Sequence, residues 1–251
     1  MKFRFKAFGW HVFGSTTLFV LALSLLYFGW YQWPGWYLTG ALKIVVLMAG
    51  IDIVLGPLLT FIIANPNKPR SELARDIAII VGVQLFAAGY GITTLWNGRP
   101  LYYTYSERFL EMVKAGDLSR EQITEGQKLN PGLAPHWYSR PRWIYAPLPD
   151  DTALAQKIVV GTIQGGDDVI QMPRYYRPWE EGLPELRKKL RPVAEMTELG
   201  KRDKEVAAER MRSLGVTADQ PIALPMLGRG KPLVGVFDPK TTRLRALIRV
   251  D

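Results

Sequence analysis

The sequence predicts a membrane protein with three transmembrane α-helices, followed by a small α+β periplasmic domain with an antiparallel sheet. Two long stretches of the 251-residue chain, Ala7 to Leu42 and Ile77 to Gly98, contain no Asp, Glu, Lys or Arg, and between Ile44 and Asn67 only Asp52 is charged. A bilayer core of about 30 Å is crossed by roughly 20 apolar helical residues. Each stretch is therefore long enough to span a membrane.

We predict the three helices at residues 10–31, 39–64 and 77–96. The chain then divides into a transmembrane domain, 1–96, and a periplasmic α+β domain, 97–251. A large soluble helical core is the alternative, but buried helices of soluble proteins are usually shorter and carry a polar face.

The orientation follows from basic residues in the short segments beside the helices. Three precede the first helix and three lie between the second and third, whereas residues 32–38 carry none; the six are Lys2, Arg4, Lys6, Lys68, Arg70 and Arg75. Basic residues mark the cytoplasmic side. The N-terminus is therefore predicted in the cytoplasm and residues 97–251 in the periplasm, which makes this a bacterial inner-membrane protein. The basic start also resembles a secretory signal, but no small-residue cleavage pattern follows, so we expect a retained anchor.

Aromatic residues gather at the predicted outer ends of the first two helices. Such side chains settle at the headgroup level of a bilayer and predict contacts with membrane lipid. The residues are Tyr27, Trp30, Tyr31, Trp33, Trp36 and Tyr37.

Asp52 is the most informative residue of the apolar region. A carboxylate at the middle of a transmembrane helix costs roughly 2.5 to 3.5 kcal/mol on insertion scales, so Asp52 is expected to face protein. Gln84, near the middle of the antiparallel third helix, is the predicted partner. Pro57, next to Gly56, removes the hydrogen bond to the Ile53 carbonyl and predicts a kink beside this polar site. A purely structural interhelical hydrogen bond is the simpler alternative to a functional site.

The third helix is rich in small residues, including Gly82 and Gly89, although no strict Gly-x-x-x-Gly motif occurs in it. Small residues allow a second helix to approach closely. The three-helix bundle itself, or a helix of a partner protein, can use this face.

Several of these residues form a pattern found in a known family. The run Ile51 to Thr60 (IDIVLGPLLT), followed by Lys68, Arg75-Asp76, Gln84, Tyr90-Gly91 and Arg99-Pro100, resembles the TfpX/TfpZ-type family of type IV pilin accessory proteins. The likeness covers the membrane region and extends more loosely to the C-terminus. It implies an inner-membrane protein that assists the assembly or function of a major type IV pilin, with the pilus assembly machinery as a further partner. It implies no catalytic residues.

Pilins of this class carry a long apolar helix, so a membrane partner can contact that helix directly. We therefore hypothesise a pilin-contacting surface formed by six residues of the second and third helices. They are Asp52, Gly56, Pro57, Gln84, Gly82 and Gly89.

The first half of the outer domain begins with a predicted hairpin. Its strands are Leu101 to Tyr105 and Phe109 to Val113, joined by a turn at Ser106-Glu107-Arg108. A helix from Glu107 to Lys114 is the alternative. Ser119 and Gln122 form a capping box for a helix over residues 120–127. Asp150 and Asp151 are predicted to cap a helix over residues 152–164 that ends at Gly165-Gly166.

The second half is predicted as an irregular segment over residues 173–184, helices over 183–191 and 193–214, and three strands. The strands are Ile222 to Leu227, Leu233 to Phe237 and Leu244 to Val250, joined by turns at Gly228-Arg229-Gly230 and Asp238-Pro239-Lys240.

Few residues with catalytic chemistry are present. The chain has no cysteine, and its two histidines, His11 and His136, are predicted on opposite sides of the membrane, which excludes a histidine-based zinc site or a Ser-His-Asp triad. The acidic pairs are more typical of helix caps and turns than of acid–base catalysis; they are Asp150-Asp151, Asp167-Asp168 and Glu180-Glu181. Gly228-Arg229-Gly230-Lys231 lacks the spacing of a phosphate-binding loop. We expect no enzyme activity, cofactor or metal.

Composition and charge narrow the possible partners. The net charge is +9, but acidic residues are interspersed with the basic ones of the outer domain, which argues against nucleic acid. Seven aromatic residues of that domain either fill its core or line a recognition surface; they are Trp137, Tyr138, Trp143, Tyr145, Tyr175, Tyr176 and Trp179. A membrane enzyme acting on pilin or a lipid-linked sugar and a membrane-tethered sensor are the rival functions.

Overall fold

The computed structural model describes residues 1–65, 67–106, 109–228 and 232–251. They form two compact units. The first, the helical unit, comprises residues 1–32 and 40–98, and the second, the sheet unit, comprises residues 33–39 and 99–251.

Three helices in the helical unit are long and apolar enough to cross a membrane: Lys2–Tyr31, Leu42–Ile63 and Arg70–Gly98. The first consists of α1 (Lys2–Leu26) and a π-helical turn, Tyr27–Tyr31. The second consists of α3 (Leu42–Ala49), a π-helical turn (Gly50–Leu55) and α4 (Gly56–Ile63), and the third is α5 (Arg70–Gly98). The first and third begin before residues 10 and 77 because Lys and Arg, which are good helix formers, extend them.

The segment before the second helix differs from its prediction. Residues 33–39 pack in the sheet unit, where Gly35–Thr39 form the short helix α2 and the Leu38 side chain is fully buried. The Tyr37 ring lies under the Arg249 guanidinium, 4.7 Å from its carbon. Within the helical unit, the Tyr31 hydroxyl donates to the Leu95 carbonyl at 2.6 Å. Tyr31 and Tyr37 therefore contact protein rather than standing as free interfacial anchors.

The sheet unit contains a seven-stranded sheet in the order β4-β3-β1-β2-β5-β6-β7. The strands are β1 (Pro100–Tyr105), β2 (Leu110–Lys114), β3 (Arg142–Tyr145), β4 (Arg177–Pro178), β5 (Ala223–Leu227), β6 (Leu233–Phe237) and β7 (Leu244–Arg249). The hairpins β1–β2, β5–β6 and β6–β7 are antiparallel, as predicted.

The prediction of a purely antiparallel sheet is wrong, because the sheet is mixed. β1 pairs with β3 in parallel, and β2 pairs with β5 in parallel. Parallel partners need long crossover connections, and here the connections contain helices. The strand β3 was not predicted, because its four residues are too few to give a clear periodic pattern.

The helices α6 (Arg120–Leu129) and α7 (Thr152–Ile163) of the sheet unit confirm their predictions. The helix α6 starts at Ser119, whose hydroxyl accepts from the Gln122 backbone N–H at 3.1 Å. The helix α7 starts at Asp151, whose carboxylate accepts from two backbone N–H groups of the first turn.

The next two helices correct their predictions. The helix α8 (Trp179–Lys189) begins before Leu183 and contains Pro184, so residues 179–184 are helical rather than irregular. Its acidic first turn suits a helix N-terminus. The predicted helix 193–214 is only partly present: a 3₁₀ turn at Val193–Glu195 precedes α9 (Lys201–Ser213).

Tertiary packing explains the interruption before α9. Met196 and Leu199 are buried in the core from the irregular segment, which overrides the local preference for helix. Gly215, at φ +73°, ends the helix region as predicted, because glycine adopts this conformation without steric cost.

Two predicted turns include residues outside the described part of the chain: Ser106-Glu107-Arg108 and Gly228-Arg229-Gly230. The alternative helix from Glu107 to Lys114 is wrong for its described part, because Leu110–Lys114 form β2.

The core of the sheet unit lies on both sides of the sheet. One cluster combines the centre of the sheet with α2 and α8 and includes Leu38, Leu110, Leu186, Leu224 and Phe237. A second cluster joins β5–β7 to α9 and includes Val234, Val236, Ala207 and Met211.

Candidate functional site

A polar network joins the three long helices of the helical unit. His11 of α1 contacts Thr60 of α4 through Nδ1 (2.6 Å) and Gln84 of α5 through Nε2 (2.9 Å). The Gln84 side-chain amide nitrogen also donates to the Asp52 backbone carbonyl at 3.0 Å. Gln84 and Thr60 are both buried, with 8% and 4% of their surfaces exposed.

The geometry fixes the direction of the two hydrogen bonds made by Gln84. The Asp52 carbonyl only accepts, so the Gln84 amide nitrogen faces it and Oε1 faces His11. Because Oε1 also accepts, His11 Nε2 carries the proton. His11 Nδ1 lies 2.6 Å from the Thr60 hydroxyl, which extends the network to α4. One consistent chain of hydrogen bonds therefore links all three helices.

The backbone explains why Gln84 bonds to a carbonyl in the middle of a helix. In the π-helical turn, the Gly56 N–H bonds to the Ile51 carbonyl and not to that of Asp52. The next donor in the π pattern would be residue 57, which is proline and has no N–H. The Asp52 carbonyl is thus left without a donor from its own helix, and the Gln84 amide supplies one.

The predicted association of Asp52 with Gln84 is present, but through the backbone of Asp52. Pro57 was predicted to kink the second helix, and the structure has a π-helical turn, Gly50–Leu55, directly before the Gly56-Pro57 pair. His11 was not predicted as a member of the network, because a single histidine without metal-ligating or catalytic neighbours in the sequence gives no pattern that assigns it a partner. A lone polar ring within a charge-free stretch was the available signal.

Two glycines allow the second and third long helices to pack closely. A methyl group at Gly56 would overlap the Gln84 side-chain amide, and one at Gly91 would overlap the Met48 thioether. Gly56 and Pro57 are buried. Gly82 and Gly89, in contrast, are exposed, and no atom lies within 4 Å of a Cβ built there.

The six predicted site residues therefore fall into two groups. Gly56, Pro57 and Gln84 are buried inside the bundle, and half-buried Asp52 joins them through its carbonyl. Gly82 and Gly89 lie on the open face of α5.

The open face of α5 has a definite shape. Its two glycines are seven residues apart, which places them on one side of the helix, about 10 Å apart along its axis. Phe86 lies between them and is 79% exposed. The face thus presents two hollows on either side of a protruding aromatic ring, a surface suited to an apolar helix.

Three residues of the acidic pairs of the sheet unit have structural contacts. Asp151 caps α7, Asp150 pairs with Arg177 at 3.3 Å, and Asp167 accepts from the Gln122 side-chain amide at 2.9 Å. Within the described residues, no group of three or more His, Asp or Glu side chains is placed to hold a metal ion.

Glu111 is the most perturbed carboxyl group of the sheet unit. Burial, together with the negative charge of Asp168, raises the pKa of Glu111 to about 7, although a weak hydrogen bond from Ser106 opposes this. The group lies in a groove whose apolar walls include Phe109, Ile158 and Ile163.

The aromatic residues of the sheet unit divide between core and surface. Tyr145 and Tyr176 are buried, and Trp143 and Trp179 pack against the core. Trp137 and Tyr138 are exposed, with 74% and 59% of their surfaces accessible. Most of the set thus fills the core, and one adjacent pair remains at the surface.

Fold and site together define a class of protein: a bundle of three helices of membrane-crossing length, joined internally by a polar network and followed by a unit with a mixed sheet. Comparisons with known proteins identify relatives along nearly the whole chain. It is 24% identical to the serogroup I fimbrial assembly protein of Dichelobacter nodosus, over 99% of this chain and 96% of the relative. It is 23% identical to the serogroup E1 protein over the same shares.

A third relative is more similar over a shorter region. The fimbrial assembly protein of serogroups C1 and C2 from the same organism is 32% identical over 49% of this chain and 94% of the relative. The chain belongs to the fimbrial assembly protein family. No protein-family model matches the chain, and no solved structure matches it.

Proposed function

We propose that the protein is a non-enzymatic accessory protein of the bacterial inner membrane that assists type IV pilus assembly by contacting the cognate major pilin. The match to fimbrial assembly proteins along nearly the whole chain is the observation that carries this proposal. The three long apolar helices support placement in a membrane, where a pilin subunit awaits assembly.

The proposal includes a topology. The short segments at the start of the first helix and between the second and third helices are basic, which favours a cytoplasmic position for both. Three crossings then place the sheet unit in the periplasm.

The pilin-contacting surface that we propose is the open face of α5. Gly82 and Gly89 allow close approach of an apolar pilin helix, with the Phe86 ring packing beside it. Asp52, Gly56, Pro57 and Gln84 support this face from inside the bundle, because they fix α5 against the second long helix.

Co-purification of pilin tests this surface. Leucine at Gly82 and Gly89 fills both hollows, and it also improves helix propensity by roughly 1 kcal/mol per site, so loss of the bundle is not expected. We expect pilin recovery with the double variant to fall severalfold at unchanged expression. Gly14→Leu is the matched control, because no atom lies within 4 Å of a Cβ built at Gly14 of α1 either.

Undiminished pilin recovery with the double variant would refute the surface. An equal loss with the Gly14→Leu control would mean that any larger side chain on a long helix lowers pilin recovery. That result would also refute the proposed surface on α5.

A further inference from the structure

The sheet unit exposes an aromatic loop, defined here as residues 134–140. Trp137 is 74% exposed, more than any other aromatic residue in the described part of this unit, and Tyr138 is 59% exposed. The rings of Trp137 and Tyr138 meet edge to face, and the His136 ring stacks on Tyr138 with centroids 5.6 Å apart. Exposing large rings to water is unfavourable unless another surface covers them.

The loop has a fixed conformation. The His136 N–H donates to the Ser139 hydroxyl at 2.8 Å, and the Ser139 N–H donates to the His136 carbonyl at 3.0 Å. The Gln127 side-chain amide of α6 donates to the Pro135 carbonyl at 2.7 Å. The rings are therefore presented by an ordered turn.

A further hydrogen bond ties the loop to the start of the sheet unit. The Arg99 side chain, which is buried, donates to the Trp137 carbonyl at 3.2 Å. Arg99 follows Gly98, the last residue of α5, directly in the chain. The loop is thus hydrogen-bonded to the residue that follows a helix of membrane-crossing length in the chain.

The chain segment that contains the loop carries only basic charge. Residues 126–149 contain no Asp or Glu, and Lys128 and Arg140 are exposed. Leu129, next to Lys128 at the end of α6, is 61% exposed and adds apolar area. Aromatic rings with basic neighbours fit the headgroup layer of a membrane that contains anionic lipid.

We propose that the aromatic loop docks on the bilayer surface, where Trp137 and Tyr138 enter the headgroup layer and Lys128 and Arg140 lie beside anionic lipid phosphates. Tryptophan and tyrosine are suited to this layer because each has an apolar body and one polar group. The contact would hold the sheet unit in a defined orientation on the membrane.

Site-specific fluorescence in reconstituted vesicles tests the proposal. The chain has no cysteine, so Tyr138→Cys in the full-length protein gives one labelling site for an environment-sensitive dye. Thr152→Cys is the control: Thr152 is exposed, and the chain reaches it after β3, which runs parallel to β1 and away from Arg99. The vesicles contain phosphatidylethanolamine and phosphatidylglycerol, with nitroxide-labelled lipid as the quencher.

We expect nitroxide lipid to quench the dye at position 138, whose emission shifts to the blue, and to leave the dye at position 152 unquenched. Replacing Lys128 and Arg140 with glutamine is expected to reduce the quenching at 138. The proposal would be overturned if the dye at position 138 is not quenched, or if the dyes at both positions are quenched equally. It would also be overturned if the dye at position 138 becomes protected from water only when pilin is added.

Discussion

Gln84 is the residue at which the polar contacts of the helical unit converge. Its oxygen accepts from His11 and its nitrogen donates to the Asp52 carbonyl, so one side chain contacts the other two long helices. Apolar helices in lipid gain little from the hydrophobic effect against one another, and such hydrogen bonds set which faces meet. Each is worth about 1 kcal/mol, so Gln84 specifies the arrangement more than it stabilises it.

At the same scale, Glu111 predicts how stability depends on pH. The carboxyl is held at a pKa of about 7 in the folded protein, against 4.5 when unperturbed. Because the unfolded chain ionises first, the contribution of Glu111 to stability is fully present below about pH 4.5 and is lost as the pH rises through about 7.

We therefore expect Glu111→Gln to increase the free energy of unfolding in detergent by on the order of 2 kcal/mol at about pH 8, and to have little effect at about pH 5. Thermal unfolding at the two pH values measures the difference. Glu205→Gln, at an exposed position of α9, is the matched control. An equal effect of Glu111→Gln at both pH values would contradict the role of burial.

At the scale of elements, the π-helical turn and α5 fit together through Gly56. A methyl group there would overlap the Gln84 amide, so Gly56→Ala is expected to destabilise the helical unit by about 1 to 3 kcal/mol. Gly50→Ala, where no atom lies within 4 Å of the added carbon, is expected to be neutral or mildly stabilising. Thermal unfolding in detergent measures both.

A double-variant cycle shows whether Gln84 causes the effect. Truncating Gln84 to alanine removes the overlapping atoms, so the cost of Gly56→Ala is expected to fall when Gln84 is absent. Simple additivity of the two changes would argue against direct contact.

Elements differ in how far the sequence determines them. The three long helices were predictable because an apolar stretch of about 20 residues without charge is typical of a helix that crosses the hydrocarbon core of a bilayer. The helices α6 and α7, capped by Ser119 and Asp151, were predictable because each cap is a local hydrogen bond. The π-helical turn was anticipated only as a kink, since Pro57 removes a donor but does not by itself specify the new pattern.

Long-range pairing accounts for most of the errors. The parallel pairing of β1 with β3 joins strands that are distant in sequence, and no local pattern specifies it. The interruption before α9 depends on burial of Met196 and Leu199 among residues from other elements. The same limit applies to the site: His11 and Gln84 are 73 positions apart, and only the packing of the helices brings them together.

At the scale of the whole molecule, the proposed topology makes a direct prediction. An alkaline phosphatase fused after Gly98 is expected to be active, because that enzyme requires the periplasm, whereas a fusion after Lys68 is expected to be inactive. Activity of the second fusion and inactivity of the first would reverse the assignment based on the basic loops.

Proposed topology and family membership together suggest how the protein acts. In the proposed account, the helices offer an apolar face to a pilin helix within the membrane, and the sheet unit faces the compartment into which a pilus extends. Assistance of this kind needs shape and position rather than chemistry at an active site.

Deletion of the gene in its native host, with pilin abundance and surface pili measured together, tests the central claim most directly. We expect surface pili to be lost: a fall in total pilin would indicate that the protein stabilises the subunit, and normal pilin with few pili would indicate a role in assembly. Complementation with the intact gene is expected to restore both. Unchanged pilin and unchanged surface pili after deletion would contradict the account.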